Sequence, residues 1–126
     1  MTFPTDLDRL SELYLTTVGR VTGQAHRIEI WFAQRGSTIY LLSGGAERSD
    51  WVRNLTRTPR VKVHAGRREF DGAARIVTDR IEDRLARDAI YEKYAVRYSG
   101  DLTRWRETAL PIAVDLIATA PDPGEQ

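Results

Sequence analysis

The sequence predicts a mainly β (α+β) protein: a mostly antiparallel sheet of six strands that curls into a small closed or partly open barrel, with two or three helices. Two sets of observations lead to this fold class. Short segments alternate apolar and polar residues at the period of a strand, and tight glycine-containing turns join several of them. Few segments repeat at the period of a helix, and the βαβ rhythm of a parallel sheet is absent. Beyond a short N-terminal helix, the predicted order is β-β-β-α-β-β-α-β.

The length and composition fit a single domain. With 126 residues, of which 41% are hydrophobic, the chain can build one core without disulfides or metals. We expect the whole chain, 1–126, to form this domain, with residues 1–10 as an N-terminal segment and residues 119–126 as a flexible tail.

The composition also excludes several classes of function. Nineteen basic and eighteen acidic side chains leave a net charge of +1, which is too small for a general electrostatic grip on nucleic acid. The absence of cysteine excludes cysteine nucleophiles, and two histidines far apart in sequence predict no metal site. No apolar run approaches the roughly 20 residues of a membrane span, and the N-terminus lacks a signal-peptide pattern. We therefore expect a cytoplasmic protein without stable membrane insertion.

The first half of the chain is predicted to form a short helix and three strands. Leucines at helical spacing over 6–13 are followed by a strand over about 13–18, where the apolar period changes to two. The glycine-bracketed turn 19–23 leads into a second strand over 26–34, with isoleucines on one face and charged residues on the other. A third strand, over 38–42, follows the hairpin turn Arg35-Gly36-Ser37.

The second half is predicted to alternate helices with hairpin strands. Ser49 or Asp50 can cap a short helix that Pro59 ends, and Glu82 is placed for a capping box at the start of the longest helix. Ser99-Gly100-Asp101 breaks that helix. The predicted elements are a helix over 51–57, strands over 60–65 and 69–77, a helix from Thr78 or Asp79 to about 98, and a last strand over 110–118.

Two glycine-containing loops carry groups that suit an anion. The turn around Gly19 and Gly23 combines close backbone approach with hydroxyls and arginine side chains, although an ordinary hairpin turn with solvated arginines has the same pattern. The loop from Ser43 through Gly45 runs into a helix N-terminus, whose free N–H groups attract anions. A flexible loop before a capped helix is the alternative for this segment.

Three tyrosines share one face of the long predicted helix. Tyr91, Tyr94 and Tyr98 are spaced by three and four residues, so they can line the pocket of an aromatic ligand. Core packing is the alternative, and we favour it for Tyr91, whereas Tyr98 lies at the helix end and is expected at a rim. No acid/base dyad, triad or metal site accompanies them, which points to a cofactor as the carrier of any chemistry.

The order of these segments resembles that of the deazaflavin-dependent nitroreductase family, within the flavin/deazaflavin oxidoreductases that are related to pyridoxamine-phosphate oxidases. The segments that carry the likeness are Thr17–Gln24, Ile30–Phe32, Ser43–Gly45, Trp51–Leu55, Pro59 and Val61–Val63. The resemblance covers roughly Leu15 to Leu116. It implies a six-stranded split β-barrel that binds coenzyme F420.

The resemblance also implies roles for particular residues. It places basic groups of the first turn and second strand on the cofactor's phosphate side, backbone donors in the glycine loop, and Trp31, Trp51 and Tyr98 beside the ring or acceptor. Tyr98, with Tyr94 as the alternative, is the expected catalytic residue. The expected cofactor-binding residues are Arg20, Val21, Thr22, His26, Arg27, Ile28, Glu29, Ile30, Trp31, Ser43, Gly44, Gly45, Ala46, Arg48, Trp51 and Asn54.

The chain departs from the family pattern at three places. Val21 and Gln24 stand where basic residues are common, and Ile28-Glu29 replaces a common Thr-Pro. Fewer bases weaken the grip on an anionic tail, for which Arg27 and Arg48 can compensate. These departures indicate a separate subgroup, so the resemblance does not carry over activity on a particular substrate.

The resemblance implies an oxidoreductase that transfers a hydride between reduced coenzyme F420 and a small flat electrophile such as a quinone or nitroaromatic. An FMN-dependent oxidoreductase of the same fold is one alternative. A non-catalytic carrier of a cofactor or small ligand is another, and Val21, Gln24 and Glu29 favour it because they dilute the anion site. Related split barrels often dimerise, so the resemblance also implies a homodimer.

Overall fold

The computed structural model describes residues 6–117 and contains seven strands and three α-helices in that range. The strands are β1 (Leu13–Val18), β2 (Ala25–Ile30), β3 (Ala33–Arg35), β4 (Thr38–Ser43), β5 (Arg60–Ala65), β6 (Arg68–Ile76) and β7 (Leu110–Ile117). The helices are α1 (Asp50–Arg57), α2 (Arg80–Ala95) and α3 (Thr103–Thr108). Short 3-10 turns over Leu7–Arg9 and Ala46–Arg48 precede β1 and α1. The predicted strand end at Ala118 and the predicted flexible tail lie outside the described residues.

All seven strands form one antiparallel sheet in the order β2-β1-β5-β6-β7-β4-β3. β2 and β3 occupy opposite edges of this sheet, yet only Trp31 and Phe32 separate them in sequence. Two residues span less than about 10 Å, so the sheet must curl until its edges nearly meet. The predicted mainly β, mostly antiparallel split barrel is confirmed, with one strand more than the six expected.

The additional strand arises because the predicted strand over 26–34 is broken at Trp31–Phe32. The Phe32 backbone N–H donates to the Tyr94 hydroxyl at 3.0 Å instead of to a neighbouring strand. The apolar alternation continues through the break, so the sequence pattern gave no sign of it. The prediction also missed α3 and extended α2 three residues too far.

The core consists of two clusters on opposite faces of the sheet. The barrel interior holds the inward residues of the strands and is closed at one end by Val52 and Leu55 of α1. The second cluster lies outside the barrel, where α2 and the segment around α3 cover β4 and β7. β4 is therefore buried on both faces: Ile39 and Leu41 point into the barrel, and Tyr40 and Leu42 point towards α2.

A charged network attaches the start of α2 to the sheet. Arg75 donates to Glu82 at 2.7 Å and to Asp115 at 2.8 Å. These hydrogen bonds hold the pKa of both carboxyls below their ordinary values. Burial and the hydrogen bond to Glu82 raise the pKa of Tyr40 to about 12. Asp79 caps α2 by accepting from the Glu82 N–H at 2.9 Å, as one of the two predicted caps requires.

Candidate functional site

The inner face of β2 is open, although the inner face of the neighbouring strand β1 is buried. Leu13 and Leu15 of β1 face the barrel interior and are at most 1% exposed. Their antiparallel partners Ile30 and Ile28 share that face, because directly paired residues point to the same side of a sheet, but both are only half-buried. His26, the next inward residue, is exposed. The barrel is thus split along β2, leaving an apolar strip next to the core.

The turn between β1 and β2 lies at one end of this strip. The Gly19 N–H donates to the Gln24 carbonyl at 2.8 Å, and Gly23 has a φ of +76°, which a side chain would strain. A Cβ at position 19 would lie 2.8 Å from His26 Nε2, so glycine allows the imidazole to pack against the turn. The conformation and packing of the turn therefore explain why glycine stands at positions 19 and 23.

Arg20 reaches from this turn to helix α1. Its backbone N–H and its guanidinium donate to Asn54 Oδ1 at 3.2 and 3.0 Å, and the guanidinium also pairs with Asp50 at 3.2 Å. Asn54 is 2% exposed and donates to the Thr17 hydroxyl, so it fixes the turn to α1. The Arg20 side chain stays 30% exposed, which leaves part of its fork open to solvent.

The second predicted loop is held by hydroxyl groups. Ser43, at the end of β4, is buried, and its Oγ lies 3.1 Å from the Ala46 carbonyl and 2.9 Å from Ser49 Oγ. A Cβ at position 45 would collide with Ser49, so this glycine is required for close approach. Ala46 has a φ of +52°, an uncommon conformation for a residue with a side chain. The loop is thus a fixed structure.

Aromatic rings gather at the other end of the strip, around the bend between β2 and β3. Trp31 stacks on Tyr94 with ring centroids 4.3 Å apart. Tyr98 and Trp105 meet the same indole edge-on at 5.6 and 5.9 Å. Sequence reasoning missed Trp105 because the short helix α3 that carries it was not predicted. We call Trp31, Tyr98 and Trp105 the aromatic cluster.

The two tyrosines predicted as catalytic differ in their surroundings. Tyr94 is 2% exposed, and its hydroxyl donates to the Ser11 carbonyl at 2.7 Å and accepts from the Phe32 N–H. Burial raises the pKa of Tyr94 to about 12. Tyr98 is 48% exposed. Only Tyr98 is open to a ligand, whereas Tyr94 holds the bend that positions Trp31.

A buried lysine supports the same bend. Lys93 Nζ lies 3.8 Å from the centroid of the Phe32 ring and 3.3 Å from the Asp8 carboxylate. Its side chain is 7% exposed, and burial lowers the pKa of its ammonium group. Asp8 also accepts from the Gln34 N–H at 2.9 Å, so the N-terminal 3-10 turn is tied to the edge strand β3.

The remaining predicted cofactor residues do not share one surface. Arg27 and Glu29 point to the outer face of β2, opposite His26, Ile28 and Ile30, because they pair with outward residues of β1. The Arg27 guanidinium lies over the Tyr14 ring at 4.3 Å. The other positions are Val21, 87% exposed; Thr22, whose hydroxyl accepts from the Gln24 N–H; Gly44, facing Trp105; Arg48, exposed; and Trp51, half-buried against the core.

A cavity of about 310 Å³ opens where the strip meets the aromatic cluster. Its lining residues are Glu12, Glu29, Ile30, Trp31 and Trp105. Two indoles and an isoleucine supply apolar wall, and two carboxylates supply the polar groups. Within residues 6–117, no group of three or more acidic or histidine side chains could hold a metal ion, and no helix is long and apolar enough to cross a membrane.

Residues 2–116 match the family of F420H(2)-dependent quinone reductases. The chain belongs to this family. Membership supports an oxidoreductase that uses a deazaflavin. The resemblance that the sequence segments indicated is thereby confirmed.

Solved structures share the fold of this F420H(2)-dependent quinone reductase family member. An F420-H2 dependent reductase (FDR-A) superposes with a TM-score of 0.68 at 16% identity, covering 82% of this chain and 93% of that one. A conserved hypothetical protein from Mycobacterium tuberculosis gives 0.68 at 20% identity, covering 95% and 83%. A heme storage protein from Vibrio cholerae gives 0.67 at 16%, covering 90% and 87%. At such identities the likeness shows the fold alone.

The residues of the site fit the deazaflavin that the family name implies. A flat ring needs an apolar surface, which Ile28 and Ile30 offer, and an anionic tail needs donors, which the partly open fork of Arg20 offers. The exposed Gly44 lets a ligand approach the backbone, whereas the space beside Gly19 is filled by the His26 imidazole. Val21 and Gln24 carry no positive charge, so Arg20 is the guanidinium that this turn offers to an anion.

Proposed function

We propose that this chain is a deazaflavin-dependent oxidoreductase that reduces a small flat electrophile such as a quinone or a nitroaromatic. One observation carries the proposal. The half-exposed apolar strip of β2 runs from the turn that carries Arg20 to the aromatic cluster. This arrangement supports a flat cofactor bound along the strip, with its anionic end at Arg20 and an acceptor beside the aromatic rings.

The chain's own residues would bind the cofactor and orient the acceptor. Arg20 and His26 would hold the anionic end, and the exposed Gly44 and Gly45 of the 43–46 loop would offer backbone donors. When bound, the reduced deazaflavin supplies a hydride, and a quinone takes up that hydride and one proton to become the hydroquinone. Trp31, which Tyr94 holds in place, would form a wall that orients the acceptor's ring.

Tyr98 is the proposed catalytic tyrosine, because its side chain is open and lies edge-on to Trp31. Its hydroxyl would donate a hydrogen bond to the acceptor oxygen on which negative charge develops. Tyr94 is a positioning residue in this proposal, because its hydroxyl forms hydrogen bonds with backbone groups of Ser11 and Phe32.

A turnover experiment tests the proposal with two matched variants. Reduced deazaflavin is mixed with protein and either a simple quinone or a nitroaromatic, and cofactor oxidation is followed by absorbance. Ile28→Glu places a carboxylate on the strip, whereas Thr16→Glu places the same group on the outer face of the adjacent strand. We expect Ile28→Glu to lower kcat/KM at least about tenfold and Thr16→Glu to leave it within about twofold. Thermal melting of both variants checks that the fold is retained.

The other outcomes separate the alternatives. Turnover with reduced FMN but not with the deazaflavin would indicate an FMN-dependent oxidoreductase that uses the same site. Binding of the deazaflavin without turnover of any acceptor would instead favour the non-catalytic carrier. A homodimer stays a prediction, which sedimentation of the purified protein would test.

A further inference from the structure

The cavity at the end of the β2 strip has an unusual combination of walls. Trp31 and Trp105 meet edge-on with centroids 5.9 Å apart, and Ile30 continues the apolar surface of the strip into the cavity. A volume of about 310 Å³ lies at the small end of the range for ligand sites and suits one or two fused rings. The volume and the apolar walls therefore suit small aromatic molecules.

The polar groups of this cavity are both acidic. Glu12 stands one residue beyond the last β1–β2 pair, Leu13 with Ile30, which places it beside Trp31. Glu29 is the last outward residue of β2. Among the described residues, Glu12 accepts only from Ser11 Oγ, and Glu29 accepts only from the Tyr14 hydroxyl at 3.4 Å. Neither carboxylate forms an ion pair within residues 6–117, although nineteen basic residues are present in the chain.

Indole rings and carboxylates that form no ion pair favour the same kind of ligand. A cation gains from the faces of indole rings and from negative charge nearby, and a hydrogen-bond donor gains from a carboxylate acceptor. An anionic ligand loses on both counts. Neighbouring Arg27 does not reverse this balance, because its guanidinium is directed over the Tyr14 ring.

We infer that the cavity lined by Trp31, Trp105, Glu12 and Glu29 binds aromatic acceptors that carry a positive charge or a hydrogen-bond donor, and discriminates against anionic acceptors with the same ring. The inference rests on the proposed function, since it assigns the cavity to the acceptor.

A binding experiment tests the inference without turnover. The full chain is titrated with a naphthalene carrying a trimethylammonium group and with its sulfonate counterpart, and tryptophan fluorescence is recorded. Each carboxylate contributes about two- to fivefold at a partly exposed site, so we expect the cation to bind at least about fivefold more tightly. In the double variant Glu12→Gln and Glu29→Gln the two affinities should converge, and higher salt should reduce the preference in the wild type.

Glu92→Gln is the matched control. Glu92 is exposed on α2. It precedes Tyr94 by two residues, a spacing that places the two side chains on opposite sides of the helix. The control should keep the wild-type preference. Equal affinity for both probes in the wild type, or a preference that the double variant keeps, would overturn the inference.

A turnover experiment then distinguishes the inference from the proposed function. The ratio of kcat/KM for a trimethylammonium naphthoquinone over a sulfonated one should fall at least about fivefold in the double variant. Turnover of both quinones with a ratio near one would contradict the inference and leave the proposed function standing. Absence of turnover with any quinone would contradict the proposed function, and the binding titration would still decide the cavity's preference.

Discussion

Strands β2 and β4 have six residues each but differ completely in burial. Every residue of β4 from Ile39 to Ser43 is buried, because the barrel core covers one face and α2 covers the other. No residue of β2 is buried, although its inner face adjoins the same core. The difference shows that position in the barrel and helix coverage together determine burial: β4 lies between the core and α2, whereas β2 is an edge strand beside the split.

The stripe of tyrosines on α2 and beyond repeats this contrast over one helical turn. Tyr94 is 2% exposed and bonded to backbone groups, whereas Tyr98 is 48% exposed. The closed side holds Trp31 in place, and the open side leaves that indole accessible. The predictions below test this division, from the largest expected effect to the smallest.

The largest effect is expected from shortening a buried side chain of β4. Leu41 is fully buried in the barrel core, so Leu41→Ala should lower the free energy of unfolding by about 3 kcal/mol through lost contacts and a cavity. Ile28→Ala on the open strand should cost only about 1 kcal/mol, because Ile28 is already half exposed. Urea unfolding of the two variants measures the difference, and equal losses would refute the division between the strands.

Tyr94→Phe should come next. The variant keeps the ring that stacks on Trp31 but leaves the buried Phe32 N–H without its acceptor, which costs about 2 kcal/mol of stability. Tyr98→Phe should change stability by less than about 0.5 kcal/mol, because that side chain is exposed. Denaturant unfolding measures both, and acceptor KM in Tyr98→Phe checks whether the exposed hydroxyl belongs to the site.

Arg20→Ala should weaken binding of the oxidised deazaflavin at least about tenfold, since a charge-assisted hydrogen bond contributes roughly 1.5–3 kcal/mol. Arg67→Ala removes an exposed arginine at the β5–β6 turn and serves as the control. The titration is accompanied by a melting curve, because Asn54 loses a partner in the Arg20 variant. Unchanged affinity would remove Arg20 from the site.

A smaller effect concerns the network that holds α2 on the closed side. The pKa values of Glu82 and Asp115 are lowered by Arg75, so the stability they contribute is present at neutral pH and is lost as the pH falls below about 4. Arg75→Gln should lower the free energy of unfolding by about 1 kcal/mol at pH 7. The free energy of unfolding should then fall less steeply towards acid pH than in the wild type. Denaturant unfolding at pH 7 and pH 3 measures the change. A loss of stability between the two pH values as large as that of the wild type would contradict the role of Arg75 in lowering these pKa values.

The smallest effect has the opposite sign. Asp50 pairs with Arg20 and is 84% exposed, so it competes with an anionic ligand for the guanidinium. Asp50→Asn should tighten deazaflavin binding about two- to threefold, as expected for loss of an exposed charge. Calorimetric titration of the variant beside the wild type detects this change, and weaker binding would show that the pair holds Arg20 in its binding position.

Local periodicity predicted much of the fold and the sides of β2, but not which side would be covered. The alternation of Ile28 and Ile30 with Arg27 and Glu29 identified the two faces correctly, as the register confirms. The set of predicted cofactor residues nevertheless mixed them, because a family likeness names positions rather than faces. Coverage depends on where the barrel closes and where α2 packs, which are tertiary properties that a strand's own pattern does not contain.

The bend at Trp31 and the helix α3 escaped prediction for related reasons. The break at Phe32 depends on a hydrogen bond to Tyr94, 62 residues away. α3 has only six residues, and Asp101, which accepts from the Thr103 N–H at 2.9 Å, belongs to the segment predicted to break the preceding helix. An acidic residue two positions before a helix start is a recognised local signal, so α3 and its Trp105 could have been found.

Titration of the wild-type protein with oxidised deazaflavin, followed by tryptophan fluorescence and repeated with FMN and with Ile28→Glu, tests the central claim most directly. Trp31 and Trp105 line the cavity that continues the strip, so a ligand on the strip should quench them. We expect saturable quenching at micromolar deazaflavin, weaker response to FMN, and loss of the signal in Ile28→Glu. No quenching by the deazaflavin, or quenching that Ile28→Glu leaves unchanged, would contradict a cofactor site on the open face of β2.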